Sequence, residues 1–224
     1  VFPPNPEQSK ISDIYSTIDS LQQYDPDFIS VTFKSSGNYS QNTIDLASYI
    51  QSNSNAEPLV HFTCGALDNH DVDQLITTLQ QAKLENILAL RGDRPTDFEG
   101  NYLQYFKHAS ELMEYLRERG DFCLAGACYA EGHIECSSLY EDLINLKIKQ
   151  EKGASFFISQ LFYDNNYYYR LVRAAKKMGI TIPIIPGIMP LTSSKMFNKI
   201  MNMAGASIPF ELRVLFDRFQ DDKR

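Results

Sequence analysis

Short apolar runs alternate along this chain with stretches whose hydrophobic residues recur every three or four positions, and this alternation restricts the possible folds more than any other feature. Residues 9–24 carry Ile11, Ile14, Tyr15, Ile18 and Leu21 at helical spacing. Asp25-Pro26 then stops the helix, and the strand-like run Phe28–Phe33 follows. Thr43, Leu46, Ala47 and Ile50 repeat the helical pattern over 42–52, and Pro58 precedes the run Leu59–Cys64. Val72, Leu75, Ile76, Leu79 and Ala82 share one helix face over 71–83 and feed a strand over 86–90. Phe106, Ala109, Leu112, Met113 and Leu116 form the next helix, which Gly120 can close before a strand over 122–129. A helix over 138–152 with Gly153 past its end leads to a strand over 155–162. A helix bearing Leu171, Val172 and Ala175, ended by Gly179, leads to a proline-flanked strand over 182–188. Pro209 suits the first turn of a last helix bearing Leu212, Leu215 and Phe219. Such alternation predicts an α/β fold of parallel strands joined by crossover helices.

With 224 residues, 43% of them hydrophobic, the chain can build one large domain, so a single domain over residues 1–224 is expected. The net charge of -7, with no Lys/Arg stripe, argues against a sequence-independent grip on nucleic acid. No apolar stretch approaches a bilayer span and the N-terminus lacks a signal-peptide pattern, so a cytoplasmic protein without membrane association is expected. The four cysteines, Cys64, Cys123, Cys128 and Cys136, form no C-x-x-C pair and lie mostly in apolar runs. They read as buried reduced thiols rather than zinc ligands or disulfides, and no metal is expected.

Two architectures fit this alternation, an open doubly wound sheet and a closed eight-stranded barrel. The Gly-x-Gly-x-x-Gly turn of a dinucleotide fold is missing. Polar groups instead stand at the C-terminal ends of many strands: Thr32, His61, Arg91 with Asp93, Tyr129 with His133, and Gln160. This distribution favours a (β/α)8 barrel, whose ligands bind at that end. Each residue also has a plainer role open to it. His61 could be a hydrogen-bonded core histidine, Gln160 a satisfied filler, and Arg91 and Asp93 a local pair or a helix cap. Asp142, Asn145 and Lys149 share one helix face, beside an apolar face of Leu139, Leu143 and Leu146. The polar trio could grip the tail of a polar cofactor, or it could be a solvated face with local pairs.

The ordered set Val31-Thr32, Leu59-Val-His61-Phe-Thr63-Cys64, Ala89-Leu-Arg91-Gly-Asp93, Tyr129-Ala-Glu131-Gly-His133, Asp142-Leu-Ile-Asn145-Leu-Lys147, Gly153-Ala, Ser159-Gln160-Leu-Phe162 and Pro186-Gly187-Ile188 resembles the methylenetetrahydrofolate reductase family. The opening Val1-Phe2-Pro3-Pro4 resembles the end of that family's first strand. The resemblance implies an FAD-containing (β/α)8 TIM barrel. It reduces 5,10-methylenetetrahydrofolate to 5-methyltetrahydrofolate with NADH or NADPH, ping-pong through the flavin, as part of one-carbon metabolism. By motif, Thr32, His61, Arg91, Gly92, Asp93, Ala109, Tyr129, His133, Asp142, Asn145 and Lys149 resemble flavin-site positions. Gln160 matches a glutamine touching both folate and nicotinamide, Tyr129 would also position substrate, and Asp93 and Gln160 are the implied catalytic pair. The partners implied are these small molecules, and a homo-oligomer is compatible with the reading.

The sequence also departs from the family pattern. The resemblance places a general-acid glutamate just before Val1, a position that Glu7 does not match, and it places an eighth strand beyond Arg224. The expectation is therefore a barrel domain incomplete at both ends, lacking the start of strand 1 and strand 8. Phe33-Lys34-Ser35-Ser36 replaces a glycine-containing segment, Ala130 and Ile134 replace prolines, Ile148 a basic residue and Met196 a glutamine. These changes bear on cofactor affinity and nicotinamide preference, and they keep open a divergent paralogue that binds flavin or folate without normal turnover. An aldolase is disfavoured because no strand ends in a Schiff-base lysine.

Overall fold

The computed structural model describes residues 11–32, 39–94, 99–191 and 207–218. The segments Val1–Pro4 and Phe33–Ser36, together with Glu7, Met196 and Phe219, lie outside the described residues. The chain divides into two compact units, residues 1–126 with 152–154 and residues 127–151 with 155–224.

In the first unit, α1 (Ile11–Leu21) runs into a 3₁₀ turn (Gln22–Tyr24) that stops at Asp25. Asp25 sits in the left-handed region at φ 45°, and Pro26 follows with no N–H to continue the helix. The other elements are β1 (Phe28–Val31), α2 (Tyr39–Asn53), β2 (Glu57–Thr63), α3 (Asn69–Gln81), β3 (Asn86–Leu90), α4 (Ala109–Arg117) and β4 (Cys123–Cys128). β4 belongs to this unit as far as Gly126. Strands β1 to β4 pair parallel in chain order, with Ser30 opposite Leu59, His61 opposite Leu88 and Ile87 opposite Leu124.

Pro58 sits inside β2 rather than before it. It is tolerated because β2 pairs with β3 only from Val60 onward, so the missing N–H breaks no ladder bond there. β3 is buried along its middle, Ile87 to Ala89, as expected of a strand covered on both faces. α2 packs on β1 and β2, and α4 on β3. Leu46, Ile50, Leu59, Phe62, Leu112 and Leu116 are among the side chains sealed in this core. α3 starts on a full capping box: Asp68 accepts from the Asp71 N–H, and the Asp71 carboxylate accepts from the Asp68 N–H.

In the second unit, α5 (Leu139–Glu151) is followed by β5 (Ala154–Ser159), α6 (Asn165–Lys177), β6 (Ile184–Ile185) and α7 (Phe210–Arg218). Ala154 itself groups with the first unit. Gly153 and Gly179 end α5 and α6 in the positive-φ region at 112° and 77°. β5 and β6 pair parallel, Phe157 opposite Ile184. β6 is much shorter than the expected 182–188 because Pro183 and Pro186 flank it and neither has an N–H to donate. Pro183 still accepts from the Phe157 N–H at 2.8 Å. Leu139, expected on the packing face of α5, is 54% exposed, whereas Leu146 is buried.

Among the described residues there are six strands, and they form no closed eight-stranded ring. They alternate with helices and pair parallel in chain order within each unit, the pattern of an incomplete (β/α) barrel.

Candidate functional site

In the first unit the polar residues leave the sheet on backbone. Thr32 follows β1, and its carbonyl accepts the Thr43 hydroxyl of α2 at 3.0 Å, which ties the strand end to the helix. His61 sits between buried Val60 and Phe62, and burial pushes its imidazole down to about 4, so it is neutral at pH 7. Parallel pairing of β2 with β3 carries on past both strands: Cys64 N–H donates to the Leu90 carbonyl at 3.0 Å and Gly65 N–H to the Arg91 carbonyl at 2.8 Å. Arg91 is therefore delivered at a fixed register, Gly92 turns the chain at φ 84°, and Asp93 emerges exposed. These residues do not cap the following helix, which opens at half-buried Ala109 with His108 at the N-cap. Cys64 is buried, and burial pushes its thiol up to about 12.

In the second unit the polar residues are held by side chains. Tyr129 meets His133 edge to face at 4.6 Å. Asp142, only 5% exposed, accepts the His133 backbone N–H at 3.2 Å on one oxygen and the Cys136 thiol at 3.8 Å on the other. Asn145 donates to the Cys136 sulfur at 3.5 Å. The Lys149 ammonium donates to the Ala127 carbonyl of β4 at 2.7 Å. The trio on α5 is therefore turned inward, which removes the solvated-face reading and makes Asp142 the organiser of the β4–α5 loop.

Burial raises the Asp142 carboxyl, against the pull of the Lys149 charge, and burial lowers the Lys149 ammonium, against the pull of Asp142. Each charge is the other's partial compensation in a dry setting. Tyr129, Ala130, Leu139, Asp142, Leu143 and Arg170 are among the residues lining a pocket of about 120 Å³ between α5 and α6. Gln160 follows β5. Its N–H donates to the Cys128 carbonyl at 2.7 Å, and its exposed side-chain carbonyl takes the Leu161 N–H at 2.9 Å.

The structure thus gathers Thr32, His61, Arg91, Gly92 and Asp93 at the C-terminal ends of β1 to β3, with Ala109 opening α4. Separately, it gathers Tyr129, His133, Asp142, Asn145 and Lys149 around the C-terminal end of β4. Three residues that sequence reasoning did not single out help build these clusters. Tyr102 is 7% exposed in a loop that is otherwise mostly exposed, and its ring lies against Gly65 and Gly92. Cys136, taken from sequence as one more buried thiol, is a partly exposed member of the Asp142 network. The buried Ser159 hydroxyl accepts the Gly187 N–H and donates to the Gln160 carbonyl, both at 2.9 Å. Only Tyr102 left a trace in the sequence, as an aromatic close behind Gly100 among polar residues.

The whole chain, residues 1–224, matches the family model described as methylenetetrahydrofolate reductase. It is 32% identical over 221 residues to the 5,10-methylenetetrahydrofolate reductase of Escherichia coli, covering 99% of this chain and 73% of that protein. It is 30% identical over 236 residues to a probable methylenetetrahydrofolate reductase (NADH) of Oryza sativa, and there it spans 39% of the relative's length. Among solved structures, a Clostridium thermocellum protein described as binding two copies of 5-methyl-5,6,7,8-tetrahydrofolic acid superposes with a TM-score of 0.64 at 15% identity. That match covers 100% of this chain and 76% of that one, a likeness of fold. No helix among the described residues is long and apolar enough to cross a membrane. A match over its full length, a bacterial relative covered over most of its own length, and parallel strands that carry the motif residues at their C-terminal ends together place this chain in the methylenetetrahydrofolate reductase family.

Proposed function

We propose that the protein carrying this chain is a flavin-dependent reductase that converts 5,10-methylenetetrahydrofolate to 5-methyltetrahydrofolate at the expense of NADH or NADPH. The observation that carries the reading is the ammonium of half-buried Lys149, which burial strips of part of its water. It gives one N–H to Ala127 and has no further hydrogen-bond partner among the described residues. A cation so placed, beside Asp142 and Asn145, fits an oxygen-rich anionic tail such as the pyrophosphate of FAD. The β3 end fits a planar ring in the same spirit, because the turn at Gly92 sets Arg91 and Asp93 side by side at the strand end.

FAD, when bound, supplies the carrier that accepts a hydride from the nicotinamide and donates it to the methylene carbon of the folate. The residues of this chain bind and orient. Lys149, Asn145 and Asp142 hold the cofactor tail, with Tyr129 and His133 beside them. Thr32, neutral His61, Arg91, Gly92 and Ala109 shape the ring site. The Asp93 carboxylate opposes negative charge accumulating on reduction and favours cationic character in the folate. Gln160 and Tyr129 position each substrate in turn, so a ping-pong kinetic pattern is the expected signature.

The family relationship and the folate-binding neighbour of like fold support this assignment. The alternative is a paralogue that binds without turnover, and the observation on its side is the Gln160 carboxamide, whose carbonyl is already taken by the Leu161 N–H. The visible spectrum of the complete gene product separates the two. A yellow protein bleached by NADH or NADPH and reoxidised by methylenetetrahydrofolate is the outcome expected of the reductase. A yellow protein that bleaches but is not reoxidised by the folate supports the paralogue, and a protein that stays colourless with added FAD removes the flavin reading.

A further inference from the structure

The strands β2 and β3 leave the sheet together, and a third segment closes on them. Ala66 N–H donates to the Tyr102 carbonyl at 2.8 Å, which brings the segment before α4 back over the strand ends. The Tyr102 ring then fills the space where side chains at two glycines would stand. A Cβ on Gly65 would lie 2.0 Å from Tyr102 Cζ and 2.1 Å from its hydroxyl oxygen, and a Cβ on Gly92 would lie 2.9 Å from that oxygen. The phenol is thus seated in a notch formed by the residues on either side of the Gly65–Arg91 hydrogen bond. Its neighbours Asn101, Gln104 and Tyr105 are exposed, and this loop sends Tyr102 and, four residues on, Phe106 to the interior. Burial raises the phenol above its ordinary range, with Cys64 and Asp93 adding to the effect and Arg91 opposing it. The group is therefore a neutral ring within the electrostatic reach of both charged residues at the β3 end.

We infer that Tyr102 is a positioning residue: its ring latches the segment before α4 into the notch left by Gly65 and Gly92, and so holds Arg91 and Asp93 in the conformation that receives the flavin. The inference rests on the flavin reading for what is received, while the latch itself is a property of the chain alone. It assigns a role to two glycines as well. Gly65 is required to be bare because the ring occupies its side-chain space, and Gly92 is required both for that reason and for its backbone conformation. Shape does most of the holding at Gly65, where the ring carbons Cζ and Cε1 would lie 2.0 and 2.4 Å from the missing Cβ, while at Gly92 the hydroxyl oxygen is the nearest atom, so a phenylalanine fills the larger part of the notch.

The test uses the complete gene product and two readouts, FAD affinity by flavin fluorescence and hydrogen exchange of the Ala66 amide, which reports the latch with or without cofactor. Tyr102→Phe is expected to keep Ala66 protection and to bind FAD within about 2-fold of the parent. Tyr102→Leu, chosen to keep an apolar filler so that the variant folds, and Gly65→Ala are each expected to lower Ala66 protection and to weaken FAD binding at least 10-fold. The double variant is expected to be no worse than either single one, because both remove the same contact. Full Ala66 protection and parental FAD affinity in Tyr102→Leu overturn the latch while leaving the flavin reading in place. A Tyr102→Phe variant as damaged as Tyr102→Leu overturns the claim that shape does the holding. A parent protein that fails to bind FAD sinks the flavin reading instead, and the exchange data then still decide the latch.

Discussion

At the ends of β2 and β3, charged groups are placed by main chain. Paired carbonyls and amides run on past the strands to Gly65 and Arg91, and a glycine at positive φ makes the turn. Around the end of β4 the backbone has been replaced by side chains: a carboxylate holding a loop amide and a thiol, an amide on that thiol, and an ammonium on a strand carbonyl. The first arrangement leaves Asp93 in water with little desolvation. The second buries a carboxylate and a cation together, where each loses hydration that the other only partly restores. A main-chain scaffold tolerates side-chain replacement, whereas a side-chain scaffold fails when one member is removed.

That contrast sets the largest expected effect. Asp142→Ala strips the acceptor from the His133 N–H and the Cys136 thiol and leaves the Lys149 charge buried with a single carbonyl, a loss of about 3 kcal/mol in unfolding free energy by urea titration. Lys149→Met leaves the Asp142 carboxylate without its compensating cation but still holding the His133 N–H, and should cost less, about 1 to 2 kcal/mol. In the double variant Asp142→Ala/Lys149→Met, part of the Asp142→Ala loss should return. Strict additivity of the two would show that the charges do not communicate and would remove the contrast. Lys149→Met should at the same time abolish tight FAD binding, so stability and affinity move apart.

Acid distinguishes the two clusters by sign. The unfolded chain takes up a proton on His61 near 6.5, but the folded chain does so only near 4, so the unfolded state binds more protons between those values. Stability from this site is complete above pH 6.5 and falls as the pH drops towards 4, by about 2 kcal/mol once the partial exposure of the ring is allowed for. Asp142 acts in the opposite sense. Its folded value is raised, so the unfolded chain releases its proton first, and stability from this carboxyl falls as the pH climbs through the carboxylate range. A His61→Gln variant should flatten the loss between pH 6.5 and 4, and an unchanged slope in that variant would assign the acid sensitivity elsewhere.

The same difference explains what could be read from the sequence. Strand ends are legible because an apolar run stops at a charge, as Ile87–Leu90 stops at Arg91, and the helix breaks at Asp25-Pro26, Gly153 and Gly179 are legible because φ limits act locally. Helical spacing put Asp142, Asn145 and Lys149 on one face but could not say whether that face looked inward. Burial is decided by the β4–α5 loop that wraps it, through Cys136 and His133, and no periodicity records that. The roles of Tyr102 and Ser159 could not be read for a related reason: each is defined by a glycine distant in sequence that leaves room for it. The closed barrel is read from the polar strand ends and the missing eighth strand from the family pattern, and the described residues reach six strands.

Within the main-chain cluster, Gly92→Ala is the substitution that hurts. Its φ of 84° disfavours an L side chain, and the new Cβ would sit 2.9 Å from the Tyr102 oxygen and 3.1 Å from Thr63 Cβ. A loss of about 1 to 2 kcal/mol follows, read as a lower urea midpoint with unchanged slope. Asp93→Asn, by contrast, should leave stability within about 0.5 kcal/mol, since the side chain is exposed, while impairing folate reduction.

The finest test of the comparison lies at the end of β5, where one hydroxyl performs what paired backbone does at the end of β2. Ser159 Oγ bridges the Gly187 N–H and the Gln160 carbonyl, and the chains approach so closely that a Cβ on Gly187 would stand 2.2 Å from the Ser159 carbonyl oxygen. Ser159→Ala leaves this approach intact but removes the acceptor of one amide and the donor to one carbonyl. Both groups lie near the surface at Gly187 and Gln160, so water recovers part of the loss and about 1 kcal/mol is expected. The informative readout is local. Hydrogen exchange at the Gly187 amide should accelerate in Ser159→Ala while the Gly65 amide, held by a carbonyl that no side-chain substitution removes, keeps its protection. Equal acceleration at both amides would mean that the two strand ends open as one cooperative unit and that the distinction between their scaffolds has no energetic content.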